Sequence, residues 1–302
     1  MQSISFAYRQ LNALILGKPL QIRLALTCML AGGHLLIEDV PGVGKTTLAH
    51  ALAGVLGLDY RRVQFTSDLL PADMLGVSLF RPDEGRFEFQ PGPVFSQLLL
   101  ADEINRASPK VQSALLEAME ERQVSIDGQT HALPKPFFVI ATQNPDGQLG
   151  TFPLPESQLD RFLMRISLGY PSPESERALL LAGDRRQALS ALPAAMKAGE
   201  LLALQQKAAQ VTVSSALADY VLALLLASRK RELFMHGLSP RAGLAILAAA
   251  RAWAMLDGRD HVLPEDVKAV FVAVCAHRLQ SRLPGMNSID AAQRLLDHVP
   301  LA

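Results

Sequence analysis

The stretch of sequence that most constrains the fold of this chain is Glu38–Thr47, which reads EDVPGVGKTT. A short apolar run, His34–Glu38, precedes the glycine-containing turn, and a helical pattern, Thr46–Leu56, follows it. A buried strand, a tight turn and a helix in this order are the context in which the pattern G-x-x-x-x-G-K-S/T binds phosphate. The sequence therefore predicts an α/β fold with a nucleotide-binding loop.

The loop departs from that pattern at one position, because Asp39 stands where the first glycine is expected, and this substitution puts a carboxylate near the bound polyanion. Gly42 and Gly44 allow backbone N–H groups to converge on an anion, and the helix N-terminus adds positive potential. Lys45 lies in the first helical turn, where the helix dipole disfavours a cation unless an anion is bound. The alternative is an ordinary glycine-rich turn that caps a helix. The predicted nucleotide-binding residues of the loop are Pro41, Gly42, Val43, Gly44, Lys45, Thr46 and Thr47, and Thr46 is also a predicted Mg2+ ligand.

The composition favours an ordered protein without a nucleic-acid partner. The chain has 302 residues, of which 49% are hydrophobic and 19% are charged. These values exclude a disordered chain and provide enough residues for one large domain or two smaller ones. The net charge is zero, whereas a surface that binds nucleic-acid phosphates usually leaves a basic excess.

The cysteines and the N-terminal sequence bear on the location of the protein. Cys28 and Cys275 lie among aliphatic residues, which predicts buried thiols and a reducing compartment. The first residues, MQSISFAYRQ, lack the basic region and the apolar core of a signal peptide. The longest apolar runs are too short to cross a bilayer. We therefore expect a cytoplasmic protein with no membrane insertion.

Up to Pro171 the sequence alternates apolar strand-like runs with helical patterns. Several of these runs are continuously apolar, as is typical of strands that are covered on both faces. This alternation predicts a parallel sheet with helices on both sides. The predicted strands are Leu35–Glu38, Arg62–Thr66, Gln97–Ala101, Phe137–Ala141 and Leu163–Leu168.

Two inserts and a change in sequence composition divide the rest of the chain. Val77–Phe89 contains two strand-like pieces, and Gln123–Leu133 contains Asp127-Gly128, a strong hairpin signal. Beyond Pro171 the sequence changes to helices rich in Ala and Leu. We predict an α/β core at residues 1–171, a linker at 172–199 and an all-helical domain at 200–302.

Two carboxylates follow the apolar run Gln97–Ala101. In an open α/β sheet the carboxyl ends of the strands face the ligand crevice. Asp102 is therefore a predicted ligand of Mg2+ and nucleotide, and Glu103 is a predicted general base that accepts a proton from an attacking water. A surface Asp-Glu pair is the alternative.

Asn144 and Arg161 are the next candidates. Asn144 follows the apolar run Phe137–Ala141, and it is predicted to orient the water or to contact the γ-phosphate, unless it belongs to an ordinary Asn-Pro turn. Arg161 is a candidate arginine finger, which stabilises transition-state charge with a planar fork of donors. Its alternative is a surface ion pair backed by Asp160.

Arg241 is a candidate because of its place on a predicted helix. Ser239 and Pro240 are typical of the cap and the first position of a helix, which puts Arg241 in the first turn. The helix dipole opposes a cation there, so we expect an anionic partner. A simple surface arginine is the alternative.

Taken in order, the motifs of the chain resemble those of the MoxR family of AAA+ ATPases, and the likeness covers nearly the whole sequence. The matching segments are GGHLLIEDVPGVGKT at Gly32–Thr46, RVQFTSDLLPADMLG at Arg62–Gly76, LLLADEINRASPKVQSALLEAMEERQV at Leu98–Val124, ATQNP at Ala141–Pro145, LPESQLDRF at Leu154–Phe162 and GLSPRA at Gly237–Ala242. MoxR-like proteins often carry an acidic residue at the position of Asp39.

The resemblance implies a AAA+ P-loop core with a five-stranded sheet, followed by a helical lid. It implies that Lys45 belongs to Walker A, that Asp102 and Glu103 form Walker B and that Asn144 is sensor 1. It also implies that Arg161 acts on the ATP of a neighbouring subunit and that Arg241 is sensor 2. The inserts at about 77–89 and 123–133 become the helix-2 insert and the pre-sensor-1 hairpin. ATP and Mg2+, a hexameric ring and a von Willebrand factor A domain partner are the implied ligands and partners.

Four functions remain open from the sequence. They are a MoxR-type ATPase that remodels or activates client proteins, a magnesium chelatase motor subunit, a DNA motor, and a nucleotide-regulated binding module with little turnover. The charge balance disfavours the DNA motor. Glu103, Asn144 and Arg161 together disfavour a module without hydrolysis. The segment ASPKVQSALLEAMEERQV is closer to MoxR than to chelatase subunits.

Overall fold

The centre of the molecule is a five-stranded, entirely parallel sheet. The computed structural model describes residues 2–145, 150–182, 193–230, 234–282 and 284–301. The strands of the sheet are β1 (Leu35–Glu38), β2 (Tyr60–Gln64), β5 (Leu98–Asp102), β8 (Phe138–Gln143) and β9 (Met164–Ile166), in the order β2-β5-β8-β1-β9. The predicted parallel sheet is confirmed.

The two faces of the sheet belong to two separate apolar clusters, because side chains alternate along each strand. Leu35 and Ile37 of β1 face a cluster that continues into the C-terminal helices. Leu36, between them, faces the opposite cluster, which contains Phe65 and Phe162. Both faces are thus covered, which explains why the inner strands read as continuous apolar runs in the sequence.

Twelve α-helices occur in the described part of the chain. They are α1 (Gln2–Leu14), α2 (Pro19–Leu30), α3 (Lys45–Leu56), α4 (Pro71–Leu75), α5 (Pro109–Glu121), α6 (Glu156–Leu159), α7 (Pro173–Ala182), α8 (Ala198–Ala209), α9 (Ser215–Ser228), α10 (Pro240–Leu256), α11 (Pro264–Cys275) and α12 (Ser288–His298). Of these, no helix is both long and apolar enough to cross a membrane.

Both predicted inserts are antiparallel hairpins. The first pairs β3 (Gly76–Arg81) with β4 (Arg86–Pro91), and the second pairs β6 (Gln123–Ile126) with β7 (Gln129–Ala132). The second hairpin turns at Asp127-Gly128, where both residues have positive φ, as the sequence predicts. The hairpins touch each other, because the rings of Phe89 and His131 stack with their centroids 4.0 Å apart.

Part of the segment predicted as a linker, residues 172–199, is helical. Helix α7 occupies Pro173–Ala182, and α8 begins at Ala198. Ser172 accepts a hydrogen bond from the Ser175 backbone N–H and Pro173 takes the first helical position, so local capping starts a helix where the sequence break predicts a linker. The remaining predicted linker residues 183–192 lie outside the described part of the chain.

The C-terminal helices are anchored on the α/β core through buried polar contacts. Arg278 donates hydrogen bonds to the backbone oxygens of Phe162 (2.7 Å) and Leu163 (3.2 Å) and to the Asp160 carboxylate (2.6 Å). His277 lies beside it, with Nε2 3.0 Å from the Phe162 carbonyl oxygen. These contacts fix the helical region at the start of β9.

A second anchor joins α2 to α10. The Arg23 guanidinium lies over the Trp253 ring, 3.9 Å from its centroid, and it also pairs with Asp257 at 2.5 Å.

Cys28 and Cys275 are buried and free, and burial raises the pKa of the Cys275 thiol to about 12. The prediction of buried thiols is therefore confirmed.

Candidate functional site

The loop before α3 has the backbone of an anion cradle. Gly42 and Gly44 have φ values of +87° and +96°, which side chains with a Cβ rarely adopt. A Cβ built on either glycine meets no atom within 4 Å, so both glycines face open space. Helix α3 begins at Lys45 and directs its first N–H groups toward the same space. These residues therefore fit the phosphates of a nucleotide.

Lys45 is the charged centre of this loop. Its Nζ donates to the Asp39 backbone oxygen (2.6 Å) and to Asn144 Oδ1 (2.9 Å), and it lies 3.4 Å from the Gln143 backbone oxygen. Burial lowers the pKa of Lys45, although nearby carboxylates, Asp39 first among them, oppose that effect. Thr46 is half-buried and Thr47 is exposed in the first turn of α3.

The carboxylate of Asp39 points away from the cradle. Its Oδ1 accepts the Val40 N–H (2.8 Å), and its Oδ2 accepts the Ser167 hydroxyl (2.9 Å) and the backbone N–H groups of Leu168 and Gly169 (both 2.6 Å). Burial raises the pKa of Asp39, but these hydrogen bonds outweigh burial and lower the pKa below its usual value. The carboxylate therefore stays charged and is fully engaged with donors.

Asp102 ends β5 with both oxygens in contact with donors. Oδ1 accepts the Thr142 hydroxyl at 2.6 Å, and Oδ2 accepts Arg62 Nη2 at 2.7 Å and Nε at 3.0 Å. A carboxylate has about four acceptor sites, so Asp102 keeps capacity for a cation. The described residues contain no cluster of three or more His, Cys, Asp or Glu side chains that would hold a metal. Mg2+ would therefore rely on Asp102, Thr46 and substrate phosphate oxygens, which is its usual preference.

Glu103 has a left-handed backbone conformation, with φ +57°, which is uncommon outside glycine and recurs at functional sites. Its backbone N–H donates to Thr142 Oγ1 at 2.9 Å, so one hydroxyl fixes both predicted Walker B residues. The carboxylate accepts Asn144 Nδ2 (3.3 Å) and Gln64 Nε2 (2.9 Å), and it pairs with Arg106 (3.0 Å). The side chain is thereby oriented at the crevice.

Asn144 joins the parts of this site. Its Oδ1 accepts from Lys45 and its Nδ2 donates to Glu103, and the side chain is almost fully buried. Asn105 Nδ2 lies 3.3 Å from the Asn144 backbone oxygen and holds that end of β8 in place. The structure thus brings Lys45, Asn144, Glu103 and Asp102 together at the carboxyl edge of the sheet.

Arg161 and Arg241 lie elsewhere. Arg161 Nε is 2.9 Å from Glu120 Oε2, and Arg241 Nη2 is 3.2 Å from Glu120 Oε1. Arg241 Nε also lies 4.0 Å from Asp160. The predicted start of the helix is confirmed, since Ser239 caps α10 by accepting the Ala242 N–H. Among the described residues, the anionic partners of Arg241 are the Glu120 and Asp160 carboxylates.

These two arginines are at the amino edge of the sheet. The end of α5 lies beside the start of β1, because His34 Nε2 is 3.4 Å from the Met119 backbone oxygen and Arg122 donates to the Gly32 oxygen at 3.0 Å. The length of β1, about 13 Å at about 3.3 Å per residue, separates this edge from the phosphate-binding loop. Within one chain the structure does not bring Arg161 or Arg241 to Lys45.

The sequence prediction missed residues that hold the predicted side chains in place, among them Thr142, Arg62 and Glu120. Thr142 bridges Asp102 and Glu103, Arg62 pairs with Asp102, and Glu120 holds both arginines. A signal existed for Thr142, since a hydroxyl that ends a buried strand needs a partner. Arg62 and Glu120 are exposed charged residues whose partners are distant in sequence, so no local pattern indicates them.

Comparison with known proteins decides the family. The model of the ATPase family associated with various cellular activities (AAA) matches residues 34–164, and the AAA lid domain matches residues 226–298. The protein Chaperone MoxR1 of Mycobacterium tuberculosis is 45% identical over 293 residues, which cover 92% of this chain and 76% of that protein. The chain belongs to the MoxR family of AAA+ ATPases.

Two further comparisons agree with this assignment. Protein MoxR of Paracoccus denitrificans is 38% identical over 293 residues, covering 89% of this chain and 86% of the relative. The crystal structure of a candidate ATPase from Cytophaga hutchinsonii superposes with a TM-score of 0.89 at 36% identity, over 99% of this chain and 95% of that one. The expected AAA+ core with a helical lid is confirmed.

Proposed function

We propose that this MoxR protein hydrolyses Mg-ATP in a ring of identical subunits and uses the cycle to remodel or activate client proteins. The loop Pro41–Thr47 and Asp102 would hold the nucleotide, with Thr46 and Asp102 facing Mg2+. Bound Mg-ATP supplies an electrophilic γ-phosphoryl group whose charge the metal partly neutralises.

The residues of this chain divide the remaining work by position. Glu103, oriented by Gln64 and Arg106, accepts the proton of the attacking water. Asn144 is hydrogen-bonded to both Glu103 and Lys45, so it can fix the position of the attacking water relative to the γ-phosphate. Such positioning and electrostatic stabilisation supply most of the catalysis in phosphoryl transfer.

A single observation supports the ring most strongly. The two candidate arginines lie together at the amino edge of the sheet, while Lys45, Glu103 and Asn144 lie at the carboxyl edge. A guanidinium that serves phosphoryl transfer must reach the transferring group. We therefore propose that Arg161 acts on the nucleotide of a neighbouring subunit. We propose the same for Arg241, which the resemblance makes sensor 2.

Glu120 adds to this argument. It holds both arginines by one carboxylate, with Arg161 Nε at 2.9 Å and Arg241 Nη2 at 3.2 Å. The Arg161 guanidinium comes from the core and the Arg241 guanidinium from the lid. Together they present two planar sets of N–H donors to the same approaching anion. Repetition of a head-to-tail contact of this kind closes into a ring, which we propose to be hexameric.

Mixed assemblies test the proposal. Arg161→Ala keeps an intact pocket and Lys45→Ala keeps an intact finger, so neither variant alone should turn over ATP. In an equal mixture about a quarter of the interfaces pair an intact pocket with an intact finger, as expected for random head-to-tail assembly. We expect turnover to recover toward that fraction.

The matched control is a mixture of Lys45→Ala with Glu103→Gln. Both changes disable the pocket of their own subunit, so no interface in this mixture is complete and no recovery is expected. Native mass spectrometry would confirm that the subunits mix. Co-assembled Arg161→Ala and Lys45→Ala subunits that stay inactive at every ratio would refute the action of Arg161 across the interface.

The client-directed role rests on the family. The relative from Mycobacterium tuberculosis is named a chaperone, which supports remodelling of proteins as the use of ATP. We propose a von Willebrand factor A domain protein as partner and the cytoplasm as location, where free buried thiols such as Cys28 and Cys275 are usual. Glu103→Gln, loaded with ATP and used as bait, should retain the partner more firmly than Lys45→Ala does.

A further inference from the structure

Asp39 faces two parts of the molecule at once. Its backbone oxygen accepts Lys45 Nζ at 2.6 Å, and its backbone N–H donates to the Gln143 oxygen at 3.2 Å. Its side chain binds the opposite way, to Ser167, Leu168 and Gly169. We call this set of side-chain contacts the Asp39 tie. One residue thus connects the phosphate-binding loop to the segment that follows β9.

The segment held by the Asp39 tie is the covalent route from the sheet to the helical lid. Residues 167–169 continue through Tyr170 and Pro171 into α7. Lys18 Nζ holds the next residue of this route, through the Tyr170 backbone oxygen at 2.7 Å. A shift of the Asp39 backbone is therefore passed to the start of the connection between core and lid.

A carboxylate suits the set of donors around Asp39. Oδ2 alone accepts three donors, the Ser167 hydroxyl and the N–H groups of Leu168 and Gly169, while Oδ1 accepts the Val40 N–H. Asparagine has the same shape but offers a single oxygen, and its NH2 group would face N–H donors. In Asp39→Asn the single oxygen can keep the three donors of Oδ2 and lose the Val40 contact, whereas Asp39→Ala removes every side-chain contact of Asp39.

We propose that Asp39 is a positioning residue, and that closure of the Asp39 tie and occupancy of the phosphate-binding loop favour each other. The tie and a bound phosphate both need the same backbone position at the start of the loop, since Lys45 takes its anchor from the Asp39 oxygen. If closure of the tie orders this backbone, phosphate binding no longer has to order it, and the converse also holds. Each event therefore favours the other, and such a coupling is reciprocal. The inference rests on the proposed nucleotide site and adds its link to the lid.

Reciprocity gives a quantitative test. Hydrogen exchange at the amides of Leu168 and Gly169 reports opening of the tie, and calorimetric titration with Mg-ADP reports nucleotide affinity. In the wild type, Mg-ADP should slow exchange at these amides by some factor. Asp39→Ala, in which the tie is open, should bind Mg-ADP more weakly by the same factor, which for couplings of usual size is about 5- to 150-fold.

Two further variants sharpen the comparison. Ser167→Ala removes one donor of Oδ2 and should give a smaller change in the same direction. It also replaces Asp39→Ala if that variant does not fold. Asp290→Asn alters an exposed carboxylate in the first turn of α12 and should change neither quantity. Equal Mg-ADP affinity in Asp39→Ala and wild type, or exchange that Mg-ADP leaves unaltered, would overturn the inference.

The outcome is separable from that of the proposed function. Both measurements use Mg-ADP and need neither hydrolysis nor a ring. If wild-type protein shows the linked changes but does not hydrolyse ATP, the Asp39 tie stands and the proposed function falls. If mixed assemblies recover turnover while the exchange factor and the affinity factor disagree, the proposed function stands and the Asp39 tie falls.

Discussion

His34 should make the stability of this protein fall steeply in mild acid. The side chain is buried, its Nδ1 accepts the Val139 N–H at 3.0 Å, and its Nε2 is 3.4 Å from the Met119 oxygen. Burial lowers the pKa of His34 from 6.5 to about 4. Protonation would place a second N–H against the Val139 donor, so the folded state favours the neutral ring.

The sign and size follow from proton linkage. Between pH 6.5 and pH 4 the unfolded chain binds a proton at this histidine that the folded chain does not bind, so stability falls as the pH falls. With the pKa of His34 at about 4 in the folded state, its share of the loss is about 2 kcal/mol at pH 5 and about 3 kcal/mol at pH 4.

The assay is urea unfolding followed by far-UV circular dichroism at pH 7, 6 and 5. His34→Asn keeps an oxygen that can accept the Val139 N–H and removes the titration, so its stability should fall by about 2 kcal/mol less than that of the wild type between pH 7 and pH 5. His277, whose pKa burial also lowers, is present in both proteins and cancels. His50→Asn, at an exposed position, is the control and should follow the wild type. Equal losses in wild type and His34→Asn would refute the reasoning.

Two other predictions concern catalysis and the lid. Glu103→Gln should lower ATP turnover by about 10^2- to 10^4-fold, because an amide cannot accept the proton of water. Calorimetry should show that this variant still binds nucleotide. Near-normal turnover would show that Glu103 is not the base. Arg278→Met should lower the free energy of unfolding by about 3 kcal/mol, because it removes the guanidinium that donates to the Leu163 oxygen, the Asp160 carboxylate and the Phe162 oxygen, of which the last keeps its His277 contact. An unchanged urea midpoint would contradict this anchor.

The site at the carboxyl edge could be predicted because local rules determine it. A glycine pair before a helix positions Lys45, and parallel strands carry their carboxyl ends to one edge, which brings Asp102 and Asn144 to the same crevice. The same logic holds for Ser239 and Pro240, whose capping chemistry needs no tertiary contact. These predictions required only neighbours in sequence and the direction of the strands.

The strand boundaries show where such rules weaken. Strand β2 was expected at Arg62–Thr66 and lies at Tyr60–Gln64. It is the edge of the sheet and pairs with β5 alone, and Arg61 and Arg62 on it are exposed. An edge strand with charged residues carries little apolar periodicity, so the sequence pattern places the start of β2 too late in the chain.

The orientation of Asp39 and Arg241 could not be predicted, since both depend on contacts between distant segments. The helix dipole indicated an anion for Arg241, and it could not tell a bound phosphate from Glu120 and Asp160, which lie more than eighty residues away in sequence. The sequence likewise placed the Asp39 carboxylate near the phosphates. Its side chain turns to residues 167–169 instead, because three donors are available there.

The two proposals join at the lid. Arg161 belongs to the core and Arg241 to the lid, and Glu120 holds them side by side. A lid that rotates on its own core must therefore separate Arg241 from Arg161 and change what the subunit presents to its neighbour. If the Asp39 tie transmits nucleotide occupancy to the connection that leads to the lid, then the nucleotide in one pocket sets the arrangement of the arginines offered to the next. Glu120→Gln distinguishes this coupling from a purely static interface, because the variant holds both guanidinium groups more weakly. In mixed rings, turnover in one subunit should then depend less on whether the neighbouring subunit holds nucleotide. The affinity of the variant for Mg-ADP should stay that of the wild type.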